Sequence, residues 1–257
     1  MSEAIENIYD LHNHMLFGID DGAKTIADTE AMLQDAVKNR ISLIAVTPHI
    51  LPPRTDMRKY EANFPLTVEL AAKYNIKLVR GGEYNARSFP PEEPYITLGG
   101  AEKGAVLMDF RMPTFPPEFQ LCVDNLFNAN YSLIIAHPER TFPESMLPEL
   151  EKLADSGVVY QVTAGSITGK FGKPASRMAF KLLERGLARL VASDAHDDSK
   201  RPSCLLAAYE LLERKYGREA VEILLANARS VIEKPAQALQ PMPINKRKWS
   251  IFGLVRK

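Results

Sequence analysis

Short, dense apolar runs alternate with longer amphipathic windows along most of the chain. The runs have the length and β-branched content of strands buried on both faces, as in a parallel sheet. Seven runs are found, at residues 8–11, 41–46, 76–79, 104–108, 131–136, 158–162 and 187–192. The helix-like windows cover residues 25–40, 60–74, 118–130, 146–156, 175–185, 202–216 and 218–227. This alternation predicts a single-domain α/β fold of βα units that close into a barrel.

The candidate chemistry lies where the apolar runs end. Each of the five histidines sits at or just beyond the end of a run, and Glu83 and Asp109 follow two other runs in the same way. Active sites of parallel α/β barrels gather at the C-terminal ends of the strands. We therefore expect six strands to deliver an imidazole or a carboxylate to one rim.

The same residues have the character of metal ligands. His12 and His14 are two positions apart, which places both on one face of an extended strand. Imidazole and carboxylate ligands together suit zinc, iron or manganese. With two further acids the set has nine members, which predicts more than one ion, held about 3.5–4 Å apart. The candidate ligands are His12, His14, Asp21, His49, Glu83, Asp109, His137, Asp194 and His196.

Three neighbouring acids have alternative roles. Asp21 lies in the segment Gly18-Ile-Asp-Asp-Gly22, where a plain turn role is an open alternative to metal binding. Asp20 is expected to cap or support that turn. Asp10, two residues before His12, is expected to orient an imidazole.

Charge and composition narrow the functional class. Lys+Arg and Asp+Glu both number 32, a balance that gives no support to nucleic-acid binding. Two distant cysteines, Cys122 and Cys204, predict reduced thiols in a cytoplasmic protein. The N-terminus resembles no secretory signal, and no run approaches the roughly 18–20 apolar residues of a membrane span.

The end of the chain differs in charge from the rest. Residues 241–257 carry five basic residues and no acid, and Trp249 and Phe252 are interleaved with them. Such a segment suits an anionic membrane surface, with a solvated or self-packed tail as the alternative. We therefore divide the chain into a barrel at residues 1–232 and a basic tail at residues 233–257. The predicted location is the cytoplasm, with peripheral contact at the inner face of the cell membrane through the tail.

Several motifs together resemble the polymerase and histidinol phosphatase (PHP) superfamily. More narrowly, residues 8–232 look like the bacterial protein-tyrosine phosphatases of the CpsB/YwqE type, which are associated with capsule and exopolysaccharide synthesis. The Asp-x-His-x-His motif also opens amidohydrolases, so the resemblance rests on the whole set. The motifs are Asp10-Leu-His-Asn-His14, Asp20-Asp-Gly22, Thr47-Pro-His49, Gly82-Glu83, His137-Pro-Glu-Arg140 and Ser193-Asp-Ala-His196.

The resemblance implies a distorted (β/α)7 PHP barrel, similar to a TIM barrel, with three metal ions. Manganese is the expected metal, with iron, magnesium, cobalt or zinc as alternatives. Relatives usually have Glu at the second bridging position, where this chain has the shorter Asp109. They also often have a basic residue after the third-strand histidine, where this chain has Ile50. By position, one ion would be held by His12, His14, Glu83 and Asp194, a second by Glu83, Asp109 and His137, and a third by Asp21, His49 and His196.

The implied activity is that of a protein-tyrosine phosphatase, a phosphoric monoester hydrolase. A multi-metal site lowers the pKa of a bound water, and the resulting hydroxide would attack phosphorus. The predicted catalytic residues are His137, Arg140 and Arg201. Arginine clamps phosphate oxygens with a planar fork, so Arg140 and Arg201 are also the main phosphate-binding candidates, with Arg111 and Arg54 behind them.

The sequence leaves other features of the reaction open. No Cys-x5-Arg loop is present, which disfavours a cysteine phospho-enzyme. Phenol is a fair leaving group with a pKa of about 10, so no general acid is assigned. Phe171, in the segment after the sixth strand, would stack on a tyrosine ring or belong to a flexible loop.

The resemblance implies a phosphorylated bacterial tyrosine kinase as the partner, with its C-terminal tail as substrate and control of capsule synthesis as the outcome. A small-molecule phosphoesterase, such as a histidinol-phosphate phosphatase, is the main alternative. A non-hydrolytic metal-bearing module of the export machinery is another. An amidohydrolase would usually carry a carboxylated Lys on a central strand, and none of the strands offers a clear candidate. The oligomeric state is left open.

Overall fold

Parallel strands make up the centre of the molecule. The computed structural model describes residues 4–90, 94–235 and 237–244. Within these residues all strand pairs are parallel and form two sheets, with the orders β1-β2-β4 and β3-β5-β6-β7-β8-β9. The strands are β1 (Ile8–Asn13), β2 (Ile41–Val46), β3 (His49–Ile50), β4 (Lys77–Arg80), β5 (Glu83–Asn85), β6 (Ala105–Asp109), β7 (Ser132–Ala136), β8 (Val159–Thr163) and β9 (Ala188–Ala192).

All seven predicted strands are present, and two short strands add to them. Strand β3 follows β2 after Thr47-Pro48, and β5 follows β4 after Gly81-Gly82. Proline cannot donate a hydrogen bond to a strand ladder, and Gly weakens a strand, so the sheet is interrupted at both places. Strands β3 and β5 pair with each other, with His49 opposite Glu83. The interruptions thus set a histidine and a glutamate side by side.

The first and last strands meet without a regular ladder. An isolated parallel bridge joins Asn13 to Ala195, and the backbone NH of Asp194 donates to the carbonyl of His12 at 2.8 Å. Among the described residues the two sheets do not form one continuous closed barrel. The predicted α/β fold with parallel strands is confirmed in this coarser form.

Helices connect the strands in most of the predicted windows. Helix α1 begins after Thr25, which forms a capping box with Asp28. Two short helices, α4 and α6, follow β7 and β8 directly and were not predicted. The helices are α1 (Ile26–Lys38), α2 (Met57–Ala72), α3 (Phe119–Asn128), α4 (Pro138–Thr141), α5 (Leu147–Asp155), α6 (Ala164–Ile167), α7 (Gly172–Glu184), α8 (Leu205–Tyr216) and α9 (Arg218–Glu233).

A small second apolar cluster joins strands of both sheets to helix α9. Leu11, Leu107 and Leu190 pack there together with Val231 of α9 and with Leu239. Burying these side chains fixes the strands against one another, so their C-terminal ends form a defined rim.

Part of the predicted tail packs on the domain. Met242 is buried, and Asn227 donates to the backbone carbonyl of Gln240 at 2.7 Å. The boundary between residues 232 and 233 remains a prediction, and the basic residues from 246 onward lie outside the described residues. Helix α9 continues to Glu233, six residues beyond its predicted window.

Two further observations bear on the environment of the chain. Cys122 and Cys204 are free thiols, as predicted. Among the described residues, no helix is both long enough and apolar enough to cross a bilayer.

Candidate metal centre

Two buried histidines at the end of β1 form the floor of the site: His12 lies within the strand and His14 directly follows it. His12 and His14 are both inaccessible to solvent, and their Nε2 atoms lie 3.1 Å apart. The Asp-Asp-Gly turn packs directly against this strand, since a Cβ at Gly22 would lie 2.0 Å from the carbonyl oxygen of His14. Only glycine allows this approach, which carries Asp20 and Asp21 to the rim.

The other candidate ligands come from the ends of the remaining strands. His49 lies on β3 and Glu83 on β5, whereas His137 directly follows β7. His137 and Asp194 have left-handed backbone conformations, with φ of 36° and 51°. Non-glycine residues seldom adopt such angles, and they concentrate at functional sites. The chain therefore turns sharply at the end of β7 and shortly after β9, which directs both side chains toward the centre.

The structure brings eight of the nine predicted ligands into three overlapping groups. In each group one ligand atom from every member lies within 4.8 Å of the others. The groups are His14, Asp21, His49 and His196; His12, His137 and Asp194; and His12, His14 and Glu83.

Two of these groups resemble the predicted ligand sets. The first contains Asp21, His49 and His196 as expected and adds His14, while the third contains three of the four expected ligands of one ion. His137 is grouped with His12 and Asp194 rather than with Glu83, although its Nε2 lies 2.9 Å from Oε1 of Glu83. Glu83 thus lies close to at least one member of each of the three expected ligand sets.

Asp109 lies apart from the three groups. Its Oδ1 accepts a hydrogen bond from Nδ2 of Asn85 at 2.9 Å, and its Oδ2 lies 3.9 Å from Nε of Arg111. Asp109 still faces the site, because it lines a cavity of about 340 Å³ together with His137 and Arg140. Its role as a ligand remains a prediction.

The donor atoms fit a bound cation. Nδ1 of His49 and Oε2 of Glu83 approach to 2.8 Å without hydrogen-bond geometry, so among the described residues neither has a partner. Nε2 of His196 is also buried and unpartnered there. Buried polar atoms are normally satisfied, and imidazole nitrogens that face carboxylates across about 3 Å suit a shared metal ion.

Two residues that were not predicted to contact a histidine, Gln161 and Asp20, orient the imidazoles. The side-chain amide of Gln161 donates to the carbonyl of Val162, so its Oε1 accepts from Nδ1 of His12 at 2.9 Å. Asp20 lies 2.7 Å from Nδ1 of His14 and also accepts from the backbone NH groups of His49 and Gly22. Both contacts leave Nε2 free for a metal, which is the usual arrangement of ligating histidines.

Asp10 has a different role from the one expected. Its carboxylate accepts from the backbone NH and the hydroxyl of Ser193 and from the amide of Asn13, not from an imidazole. Asp10 therefore joins β1 to the segment after β9, and the prediction that it orients an imidazole is wrong. Asp20 supports its turn as predicted and, in addition, contacts His14.

The electrostatics of the site favour positive charge. Burial would lower the pKa of His14, but the carboxylates of Asp20, Asp194 and Glu83 together outweigh it and raise this pKa well above its usual value. Burial would raise the pKa of Asp20, but His14 and backbone donors lower it to about 2. Burial would raise the pKa of Glu83, but the imidazoles around it, above all that of His12, favour the charged carboxylate and hold this pKa well below its usual range. Metal binding would displace protons from these imidazoles.

Two arginines meet a single carboxylate oxygen beside the imidazoles. Arg140 donates to Oδ2 of Asp194, and Arg201 donates to the same oxygen at 2.7 Å. The other oxygen, Oδ1, lies 3.4 Å from Nε2 of His12. Asp194 thus separates a metal-binding side from a side that presents two guanidinium groups. Arg111 is more than half exposed at the rim, and Arg54 is exposed on a turn.

Phe171 contacts an arginine in this structure. Its ring lies under the guanidinium of Arg140, 4.4 Å from the ring centre, within the range of a cation–π interaction. A Cβ at Gly165 would lie 2.6 Å from the same ring, so glycine makes room for it. Phe171 is therefore wedged between α6 and Arg140.

Comparisons with known proteins give a family and similar named proteins. The sequence model of a family described as capsular polysaccharide synthesis, CpsB/CapC, matches residues 8–233. The tyrosine-protein phosphatase YwqE of Bacillus subtilis (strain 168) is 30% identical over 260 residues, which span 95% of this chain and 98% of YwqE. The tyrosine-protein phosphatase CpsB of Streptococcus pneumoniae is 28% identical over 244 residues, or 87% of this chain and 97% of CpsB.

Two solved structures resemble this chain in fold. A crystal structure from work on YwqE from Bacillus subtilis and CpsB from Streptococcus pneumoniae, described there as metal-dependent tyrosine phosphatases, has a TM-score of 0.79 and 26% identity. The match covers 92% of this chain and 100% of that chain. A TatD-like protein from Archaeoglobus fulgidus has a TM-score of 0.54 at 12% identity, covers 87% of this chain and 99% of that chain, and shares the fold alone.

Proposed function

Because the chain belongs to the CpsB/CapC family of capsular polysaccharide synthesis, we propose that it is a metal-dependent protein-tyrosine phosphatase. The observation that carries the proposal is the position of Asp194, with imidazoles against one oxygen and two arginines against the other. A phosphoryl group needs both a metal site and cationic donors in one place. The named activity of YwqE and CpsB supports the same assignment.

The metal content is part of the proposal. We assign three ions, manganese first, with iron, magnesium, cobalt or zinc as alternatives. The three groups of side chains around His12, His14 and Glu83 would hold them, and Asp109 would complete the second site from the rim of the cavity. Bound ions would stabilise the charge of the phosphoryl oxygens and supply a water acidic enough to attack near neutral pH.

The arginines position the phosphate. In the described structure Arg140 and Arg201 donate to Oδ2 of Asp194, and both remain partly exposed. A phosphoryl group in the cavity of about 340 Å³ beside Asp109 and His137 would offer them oxygens of higher charge. Arg111, at the mouth of this cavity, would add a third donor.

His137 is proposed to connect the metal site with the phosphate cavity. Its Nε2 contacts Glu83, and the residue also lines the phosphate cavity beside Arg140. Its left-handed backbone directs the imidazole inward and starts α4, which carries Arg140. A change at His137 should therefore disturb both metal binding and phosphate binding.

The proposed substrate is the phosphorylated C-terminal tail of a bacterial tyrosine kinase that controls capsule synthesis. We place the enzyme in the cytoplasm, with the basic C-terminal residues at the inner face of the membrane. We also propose that the sheets form a distorted (β/α)7 barrel, with β3 and β5 continuing β2 and β4. The bridge between Asn13 and Ala195 supports this closure.

Hydrolysis of a phosphotyrosine peptide by the purified full chain tests the proposed function. We expect phosphate release with manganese, loss of release after chelation, and recovery when manganese is restored. His137→Ala should abolish the activity, and Arg140→Ala should raise KM. Arg185→Ala is the matched control, because Arg185 pairs with Glu151 on the protein surface. Release from histidinol phosphate but from no phosphotyrosine peptide would contradict the proposal in favour of a small-molecule phosphoesterase.

A further inference from the structure

A second cavity adjoins the one assigned to phosphate. It has a volume of about 590 Å³ and shares Pro113, Arg140 and Thr141 with the smaller cavity. We propose that this second cavity is a subsite for acidic residues that flank the phosphotyrosine of a peptide substrate. The inference rests on the proposed function and adds a sequence preference to it.

The shape of the cavity suits a peptide segment. Its volume lies within the range of about 300–1,000 Å³ that is common for ligand sites. Phe171 and Met178 contribute apolar surface, while Arg140 stands at the junction with the phosphate cavity. A phosphotyrosine whose phosphate reaches Arg140 would therefore place its neighbouring residues in the larger cavity.

The charge of the cavity wall indicates which residues would bind beside the phosphotyrosine. Arg177 lines the cavity from α7 and is exposed, and it forms no ion pair within the described part of the chain. Two acids also line the cavity: Glu139 is buried and accepts from Thr163 and Ser166. Glu144 is paired with Lys181, and the nearby charge of Arg177 contributes to lowering its pKa without forming an ion pair. Arg177 is thus an available cation, and an acidic side chain is its natural partner.

The N-terminal end of α7 adds further positive charge to the wall of this cavity. The first two turns of this helix form one wall, through Pro174, Ala175, Arg177 and Met178. Its first turn contains no acid, and its N-cap residue Phe171 provides no side-chain hydrogen bond. The positive end of the helix dipole is therefore not compensated locally. Lys170 and Lys173, both exposed, lie at this helix start as well.

Two phosphotyrosine peptides of equal length test the subsite, one with glutamates and one with lysines at the flanking positions. For Arg177→Ala we expect kcat/KM on the acidic peptide to fall about two- to fivefold, the range of an exposed charge pair. The basic peptide and p-nitrophenyl phosphate should be hydrolysed as before. Arg177→Glu should reverse the preference between the peptides. Arg185→Ala, on the same helix but outside the cavity, is the control.

Fluorescence anisotropy of the labelled peptides on the manganese-loaded enzyme separates the inference from the proposed function. Weaker binding of the acidic peptide alone in Arg177→Ala would support the subsite, even if no hydrolysis occurred. Equal effects on both peptides, or no effect on either, would overturn it. Absence of hydrolysis of every phosphotyrosine substrate would instead overturn the phosphatase assignment.

Discussion

The side-chain oxygen of Gln161 accepts a hydrogen bond from Nδ1 of His12 at 2.9 Å, deep inside the protein. Because the amide group of Gln161 donates to the carbonyl of Val162, the orientation of its oxygen is fixed. His12 must therefore carry its proton on Nδ1 and present Nε2 to the centre, where Nε2 of His14 and Oε1 of Glu83 lie within 3.3 Å of it. A neutral side chain on β8 thus sets the protonation of a candidate ligand on β1.

Gln161→Met should weaken manganese binding. Methionine has a similar volume but cannot hold the proton on Nδ1 of His12, and loss of such a partner costs about 10- to 100-fold in metal affinity. Titration against a competing chelator would measure the change. Gln120→Met, on the exposed surface of α3, is the matched control. Unchanged affinity in Gln161→Met would contradict the orienting role.

Asp20→Asn should also reduce metal affinity, by about 10- to 100-fold. The single amide oxygen would still accept from the backbone NH of His49, whereas the NH2 group would replace the oxygen that accepts from Gly22, so the turn keeps one of these two bonds. The negative charge that polarises His14 is lost, and its imidazole becomes a weaker ligand. Asp155→Asn changes the same group at an exposed position and should leave the affinity intact. A variant in which the turn collapses, seen as a large fall in Tm without metal, would point to a structural role instead.

Phe171→Leu should raise KM for p-nitrophenyl phosphate while kcat changes little. The ring supports the guanidinium of Arg140, and a cation–π contact of about 0.5–1 kcal/mol corresponds to roughly a two- to fivefold effect. Phe171→Trp should preserve the parent KM. Phe180, on α7, makes a similar contact with Lys215 of α8. Phe180→Leu removes that contact and serves as the control. If KM stays at its parent value and only kcat falls, Phe171 does not act through phosphate binding.

Tyr60→Phe should alter the stability of the protein at alkaline pH. Burial raises the pKa of Tyr60 to about 12, and its hydroxyl donates to the carbonyl of Gly81 at 3.0 Å. The folded pKa lies above the unfolded value of about 10, so this stability is complete below pH 10 and is lost as pH rises toward 12. We expect the stability of the parent to fall relative to the variant by about 1 kcal/mol between pH 10 and 11. Urea unfolding across this range would measure it, and parallel curves would refute the assignment.

Much of the site follows from the sequence because a parallel strand ends in a predictable place. Each apolar run stops within two residues of the end of its strand, so His12, His49 and His137 could be assigned to one rim from the pattern alone. The breaks at Thr47-Pro48 and Gly81-Gly82 are visible in the sequence too. That they create two extra short strands depends on pairing between distant segments, which no local pattern contains.

The missing parts are contacts between residues far apart in the chain. Gln161 lies 149 positions from His12, and a lone glutamine on a strand has no sequence signal of its own. Asp20 carries the signal of a turn residue, which hides its second contact with His14. The grouping of the ligands depends on contacts between strands that are distant in the sequence. For Phe171 the sequence predicts either stacking on a tyrosine ring or a flexible loop, whereas its ring contacts the guanidinium of Arg140.

The order of the ligands along the chain has a consequence for how a newly made protein meets its metals. The group of His12, His14 and Glu83 is complete within the first 83 residues, whereas the other two groups need Asp194 or His196. Chain synthesis proceeds from the N-terminus. A polypeptide emerging from the ribosome therefore carries all three members of this group long before the other two groups are complete, and Asp194, the expected fourth ligand of the same ion, is made only with the segment after β9.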